Sequence, residues 1–376
     1  MKYIWQSAKW PEFSWDSEAL LSDLGQARLA QGELLAGIRS LGFGLDKEAR
    51  AGILTEEAIK TSEIEGERLN PRMVRSSVAR HLGLKDAGLV PSTRSVDGLV
   101  DVILDATKNY GARLSAGRLI GWHAALFPGG YSGLHKIRAG SWRGDEPMSI
   151  VSGPIGRERV QYEAPPGDSV ADEMEAFLQW WSSSAGKIDG ILRAGIAHFY
   201  FVTIHPFEDG NGRIARALTD MALAQDENMA TRYYRLSSQI MEDRKAYYDI
   251  LEKSSRSDSA DLTEWLAWFL KCYKRAVRRS SKIMGNVLAK ADFWQAHAHD
   301  GLNERQRKVI KIILEAGPGN FTGGLTTRKY VNITKASRAT AFREISDLMS
   351  LKILRQLPGK GRNVHYDLVW PHAREN

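Results

Sequence analysis

Residues Leu192 to Ile204 constrain the fold more than any other stretch. They are apolar almost all round, so a helix there must be enclosed by other elements. The rest of the chain supplies those neighbours, with apolar residues at helical spacing over much of its length. Asp16 is placed to cap a helix running to about Leu41, with Leu20, Leu24, Ala27, Leu34, Leu35 and Ile38 inward. Asp46 is placed to cap a second, through Ala51, Leu54, Ala58 and Ile64, which Gly66 and Asn70-Pro71 stop. Further helices are predicted over 71–83, on both sides of Gly111 within 95–130, around Met174, Phe177, Leu178 and Trp181, from Asn211 to about Gln225, and across 236–285. Alternation in Met148–Ser152 and Arg157–Tyr162, around Gly153-Pro-Ile-Gly156, reads as a β-hairpin that Pro165-Pro166 ends.

Charge divides the 376 residues unevenly. The whole carries 52 Lys+Arg against 45 Asp+Glu, a net +7. Residues 301–376 hold 14 Lys/Arg and 6 Asp/Glu, a net +8, which leaves −1 for the other 300. Just upstream, Lys271 to Lys290 holds seven Lys/Arg and no acid. The basic character therefore belongs to the C-terminal quarter, where it suggests nucleic acid. A hydrophobic share of 43% fits a folded chain, and no run of about 18 uncharged apolar residues suits a membrane span. Met1 to Phe13 has no apolar core of a secretory signal. The lone Cys272 allows no internal disulfide, which fits the cytoplasm. Residues 286–301 read as a connector. Residues 302–376 read as a winged helix: a first helix behind the Asn303/Gln306 capping box, a second over Thr326–Asn332, and a third, capped by Thr334, over Lys335–Leu348. Phe342, Ile345, Leu348 and Met349 are expected on the third helix's apolar face, with Ser337, Arg338, Thr340 and Arg343 on the other. Strands over Ile353–Leu357 and Val364–Val369, joined by Pro358–Asn363, complete the wing, a surface that suits either DNA or a protein contact such as dimerisation.

One thirteen-residue segment carries chemistry: Ile204-His205-Pro-Phe-Glu-Asp-Gly-Asn-Gly-Arg-Ile-Ala-Arg216. A buried helix ends at a histidine and a proline. Gly210 and Gly212 flank Asn211 and permit a tight turn whose N–H groups point one way. The next helix begins there, and its N-terminus attracts anions. Arg213 and Arg216, three apart, match phosphate oxygens. Asp209 is a hard oxygen ligand suited to Mg²⁺ beside phosphates, and His205 is a base that titrates near neutrality.

This string resembles the signature of the Fic (filamentation induced by cyclic AMP) family, His-x-Phe-x-Asp/Glu-Gly-Asn-Gly-Arg-x-x-Arg. It matches at His205, Phe207, Asp209, Gly210, Asn211, Gly212, Arg213 and Arg216. The resemblance implies a mainly α fold, with a Fic-type helical core and a β-hairpin flap, plus a C-terminal winged helix (α+β). It implies transfer of AMP from ATP to a Ser, Thr or Tyr hydroxyl of a protein, the chain itself included. On that resemblance His205 would take the hydroxyl proton and Asp209 would hold Mg²⁺ on the α- and β-phosphates. Gly210, Asn211 and Gly212 would cradle phosphates, Arg213 the leaving diphosphate, and Arg216 the γ-phosphate. Phe207 would anchor the loop in the core. Ile150, Val151, Ser152 and Gly153 of the flap would cover the nucleotide, and the flap edge would take an extended target segment by strand addition. Arg244-x-x-Tyr247-Tyr248 resembles a family element near the adenosine, with Ser255 where relatives often have asparagine. His198, in Ala197-His198-Phe199, reads as a core histidine.

Thr61-Ser-Glu-Ile-Glu65-Gly66 resembles the family's inhibitory motif, Ser/Thr-x-x-x-Glu-Gly/Asn. Glu65 would pair with Arg216 and repel the γ-phosphate. The expected organisation is an N-terminal helical region with the inhibitory helix over 1–90, a Fic core over 91–285, and connector and winged helix over 286–376. A homodimer is implied by the resemblance. Two alternatives stand beside AMP transfer: a DNA-binding regulator with an ATP-sensing core, and removal of AMP by the same site.

Overall fold

The computed structural model describes residues 3–40, 47–84, 90–152, 159–317, 320–359 and 364–370. They form two compact units, 1–280 and 281–376.

The first unit is built around α7 (Gly190–Ile204), enclosed as its sequence requires: Ile191, Ile196, Phe199, Phe201 and Ile204 are fully buried. Asp189 caps it, its carboxylate accepting from the N–H groups of Ile191 and Leu192. α8 (Asn211–Glu227) folds back along it. Around this pair stand α1 (Ser17–Ser40), α2 (Lys47–Ile64), α3 (Pro71–Leu82), α4 (Arg94–Lys108), α5 (Ala116–Leu126), α6 (Val170–Ser184), α9 (Leu236–Glu242), α10 (Arg244–Ser255) and the first part of α11 (Thr263–Ala296). Asp16 caps α1 and Asn70 caps α3, each through its side chain. Asp46 lies outside the described residues. Gly195 lets α11 come close, since a Cβ there would lie 2.9 Å from the Phe269 ring. The Trp265 indole N–H donates to the Gly195 carbonyl across the same contact, at 2.8 Å.

Two small antiparallel pairs interrupt the helices. The first, β1 (Tyr131–Ser132) with β2 (His135–Lys136), has two residues per strand, too short for alternation to show in the sequence. The second is the expected hairpin, β3 (Ser149–Ser152) with β4 (Arg159–Glu163). Its tip, Gly153 included, lies outside the described residues. The chain's beginning braces this hairpin: the Trp5 indole donates to the Glu163 carbonyl at 2.8 Å, and Tyr3 meets the Tyr162 ring edge-on at 5.3 Å.

Within 281–376, α12 (Glu304–Ala316), α13 (Thr327–Thr334) and α14 (Arg338–Ser350) precede an antiparallel pair, β5 (Leu354–Gln356) with β6 (Tyr366–Leu368), to which Leu325 adds a bridge. The Asn303/Gln306 capping box forms as expected. Three expectations fail here. The helix expected to stop at 285 runs on through most of the connector to Ala296, since no proline interrupts it. α14 is capped by Ser337 rather than Thr334; Lys335, at φ 59°, ends α13, and the Thr334 hydroxyl donates back to the Tyr330 carbonyl. Phe342 lies on the outer face, 64% exposed, because Ala341, Glu344, Ile345 and Leu348 make the inner one. Residues 360–363 of the loop between β5 and β6 lie outside the described residues.

Candidate active site

The turn between α7 and α8 is fixed by its own residues. His205 closes α7 in the left-handed region, φ 52°, which disfavours a side chain with a Cβ. Arg143 holds it there: its Nε donates to the His205 carbonyl at 2.8 Å, and its backbone N–H to the Pro206 carbonyl at 2.9 Å. Phe207 is fully buried and stacks on His123, ring centres 4.0 Å apart. Asn211 clamps the loop from within, its Oδ1 accepting from the Phe207 N–H (3.0 Å) and its Nδ2 donating to the Phe207 carbonyl (2.7 Å). Its side chain therefore shapes the cradle, leaving its backbone N–H, with that of Gly212, at the start of α8. Gly210 adopts φ 80°, and Phe127 fills the space where a Cβ would stand.

His205 is partly buried. Its Nδ1 lies 3.2 Å from the Val202 carbonyl, which can only accept, so the proton sits on Nδ1 and Nε2 carries the lone pair. Burial, with the Arg143 cation, pushes its pKa down to about 4 despite Glu65 and Asp209, so the imidazole is neutral at pH 7. Asp209 accepts from the Ser132 hydroxyl and lies 3.8 Å from Arg213. Arg213 reaches Glu67 at 3.1 Å and lies over the Phe127 ring.

Arg216 is almost wholly buried, and α2 takes up most of its donors. Its Nε donates to the Thr61 hydroxyl (2.6 Å), and its Nη2 to the Thr61 carbonyl (2.8 Å) and Glu65 Oε1 (2.7 Å). Burial opposes its charge, and Glu65 more than offsets that, so its pKa stays above the ordinary value. Glu65 Oε1 rests against Gly212; a Cβ there would lie 2.0 Å from that oxygen. Gly212 has no left-handed φ, so its missing side chain serves close approach rather than the turn. The pairs Glu65/Gly212 and Thr61/Arg216 stack a turn apart on antiparallel helices. A turn further along each lie Glu57 and Asp220, both buried. Burial and the neighbouring Asp220 push Glu57 up to about 8, and burial raises Asp220 to about 6.

Two cavities meet at Glu65. One, of about 250 Å³, is lined by Ile150, Val202, His205, Tyr247, Tyr248 and Ser255, among others. The other, of about 430 Å³, is more polar, with Ser62, Glu67, Ser132, Asp209 and Arg213 on its walls. The Tyr247 hydroxyl is held by His198 Nε2 at 2.9 Å, while His198 Nδ1 meets Thr219, which satisfies both ring nitrogens of that core histidine. The Ile64 carbonyl at the end of α2 accepts from Arg244 Nε (2.8 Å) and the Tyr248 hydroxyl (3.1 Å). Gly66, at φ 87°, then turns the chain away.

Of the residues singled out in the sequence, His205, Asp209, Gly210, Asn211, Gly212, Arg213, Arg216, Thr61, Glu65, Gly66, Tyr247, Tyr248 and Ile150 come together here. Val151 and Ser152 have their backbone in β3, and Gly153 lies outside the described residues. Sequence reasoning missed Arg143, Ser132, Glu57 and Asp220. No local spacing marks them, since each acts through a partner remote in sequence.

Comparison with known proteins finds likeness over two stretches of the chain. Residues 113–223 match the Fic/DOC family model, and residues 3–84 match a domain of unknown function, DUF4172. The chain therefore carries a Fic/DOC family domain, and the signature turn lies inside it. Among curated relatives, a protein adenylyltransferase of Caenorhabditis elegans is 42% identical over 55 residues, 14% of this chain and 11% of that one. One of Nematostella vectensis is 28% identical over 147 residues, 38% of this chain and 29% of that one. The match thus spans well under half the length of either relative. The solved structure of a Fic family protein from Desulfovibrio desulfuricans shares the fold at TM-score 0.54 and 18% identity, covering 95% of this chain and 97% of that one.

Proposed function

We propose that this chain is a protein adenylyltransferase that moves AMP from ATP to a protein hydroxyl and is restrained by its own Glu65. One observation carries the reading: the lone-pair nitrogen of His205, the N-terminus of α8 and a buried arginine converge where the two cavities meet. In that reading the cavity beside Tyr247 and Tyr248 takes the adenosine, whose purine suits tyrosine faces. Ser255 offers a hydroxyl on the same wall. The N–H groups at the start of α8, with Arg213 and Arg216, take the phosphates.

His205 Nε2 would accept the proton as the target hydroxyl attacks the α-phosphorus, and diphosphate would leave toward Arg213. Asp209 would hold Mg²⁺, an ion that a single protein carboxylate suits when phosphates supply further oxygens. That ion would offset phosphate charge. The free edge of the β3–β4 hairpin would take the target segment.

Glu65 would act as the brake by lying against Gly212 and neutralising Arg216, where the terminal phosphate belongs. With both occupied by the protein's own carboxylate, ATP would bind in a pose unfit for in-line attack. The test is transfer of label from ATP to the chain itself or to lysate proteins. Glu65→Gly should label strongly, and Glu65→Gly/His205→Ala should not. A folded Glu65→Gly protein that binds ATP and transfers nothing overturns the reading.

A further inference from the structure

The surface of 281–376 carries a second, separate feature. α13 and α14 are joined by Lys335-Ala336-Ser337, a three-residue turn in which Lys335 takes the left-handed conformation and Ser337 caps α14 (Oγ accepting from the Thr340 N–H, 3.1 Å). Two helices joined by so short a turn, beside a two-stranded antiparallel pair, present the second helix outward.

The inner face of α14 is locked by Glu344. Its carboxylate, almost fully buried, accepts from Arg305, from the Tyr330 hydroxyl at 2.8 Å and from Asn303 Nδ2 at 3.0 Å. That pins α14 to α12 and α13 and fixes what it turns outward. The outward side of its first half shows Arg338, Phe342 and Arg343, all exposed, with Lys335 just before it. Among the described residues no carboxylate pairs with Lys335, Arg338 or Arg343. The acid of this half, Glu344, points inward, and Asp347 comes only a turn later. Phe342, 64% exposed, stands among these cations and gives the same face an apolar contact point. The chemistry fits a polyanion that also offers apolar edges.

We infer that residues 281–376 bind double-stranded DNA, with the first half of α14 in the major groove. Lys335, Arg338 and Arg343 meet phosphates or guanine edges, and Phe342 meets thymine methyl groups. The +8 of the last 76 residues favours this over a protein partner, because a duplex presents dense, regular negative charge.

The full chain should bind a labelled duplex, followed by fluorescence anisotropy without ATP, so the outcome is independent of AMP transfer. Each phosphate contact adds about −0.9 to the slope of log affinity against log salt, so three contacts should weaken binding more than about tenfold between about 50 and about 200 mM salt. Arg338→Glu/Arg343→Glu should lower affinity at least about tenfold and flatten the slope. Phe342→Ala should leave the slope and reduce the preference for thymine-rich duplex. All three side chains are exposed, so circular dichroism should show unchanged folding. No binding at low salt overturns the inference, as does binding indifferent to Arg338→Glu/Arg343→Glu. Self-association lost on Phe342→Ala, with no duplex binding, overturns it in favour of a protein contact.

Discussion

The turn after α7 and the end of α2 meet at one point but are built differently. The turn is held mainly from within its own residues, where Asn211 bonds both backbone groups of Phe207 and Gly210 and His205 take the two left-handed conformations, and Arg143 braces it from a segment outside α2. The end of α2 is held from outside. Thr61 and Glu65 depend on Arg216, some 150 residues away, and the Ile64 carbonyl depends on Arg244 and Tyr248. A local structure of this kind persists whether or not its neighbours move. A docked helix end is released when a few side-chain contacts fail. The difference suits the proposed roles, a permanent catalytic turn beneath a removable brake.

The contrast can be broken from either side. In the Glu65→Gly background, His205→Ala should lower label transfer by roughly 10²–10⁴-fold, the usual scale of general base catalysis. Glu65→Gly alone should raise transfer over the unmodified chain by about 5–150-fold, the range of typical coupling free energies. Asn211→Ala should destabilise by about 1–3 kcal/mol, because the Phe207 N–H and carbonyl lose their partners. Denaturant unfolding measures that, and the loss should be the same with or without Glu65.

Gly212→Ala sharpens the comparison through a cycle. The added Cβ collides with Glu65 Oε1, so it should cost about 1–3 kcal/mol in the unmodified chain and much less beside Glu65→Gly. The docked end of α2 should also respond to pH. Burial beside Asp220 raises the Glu57 carboxyl from an ordinary 4.5 to about 8. Its raised value favours the docked helix fully below about pH 4.5, and that contribution is lost as pH rises through about 8. The groups facing it are Asp220 and Arg216 on α8 and Ser237 on α9. The ratio of unmodified to Glu65→Gly transfer rates should therefore climb toward alkaline pH, and Glu57→Gln should flatten it.

How far each region is legible in sequence follows the same division. The turn is contiguous, so most of the residues that shape it stand in one string, while Arg143 and Ser132, which brace it from elsewhere, do not. The proposed brake is legible as a motif, but its contacts are not: nothing local shows that Glu65 lies against Gly212, or that Glu57 and Asp220 share one buried interface. Helix positions follow from apolar spacing and caps such as Asp16, Asn70 and Asn303. Where expectation failed, a local preference was outweighed. Lys335 ended α13 and moved the α14 cap to Ser337, and burial of Ala341 and Glu344 beside Ile345 and Leu348 left Phe342 outside with Arg338 and Arg343.

The most direct test of the central claim uses ATP labelled at one phosphate at a time. Glu65→Gly protein should become labelled from α-labelled ATP and stay unlabelled from γ-labelled ATP, with the unmodified chain labelling far more slowly. Label arriving from the γ position, or equal α-labelling with and without Glu65, would contradict AMP transfer restrained by this carboxylate.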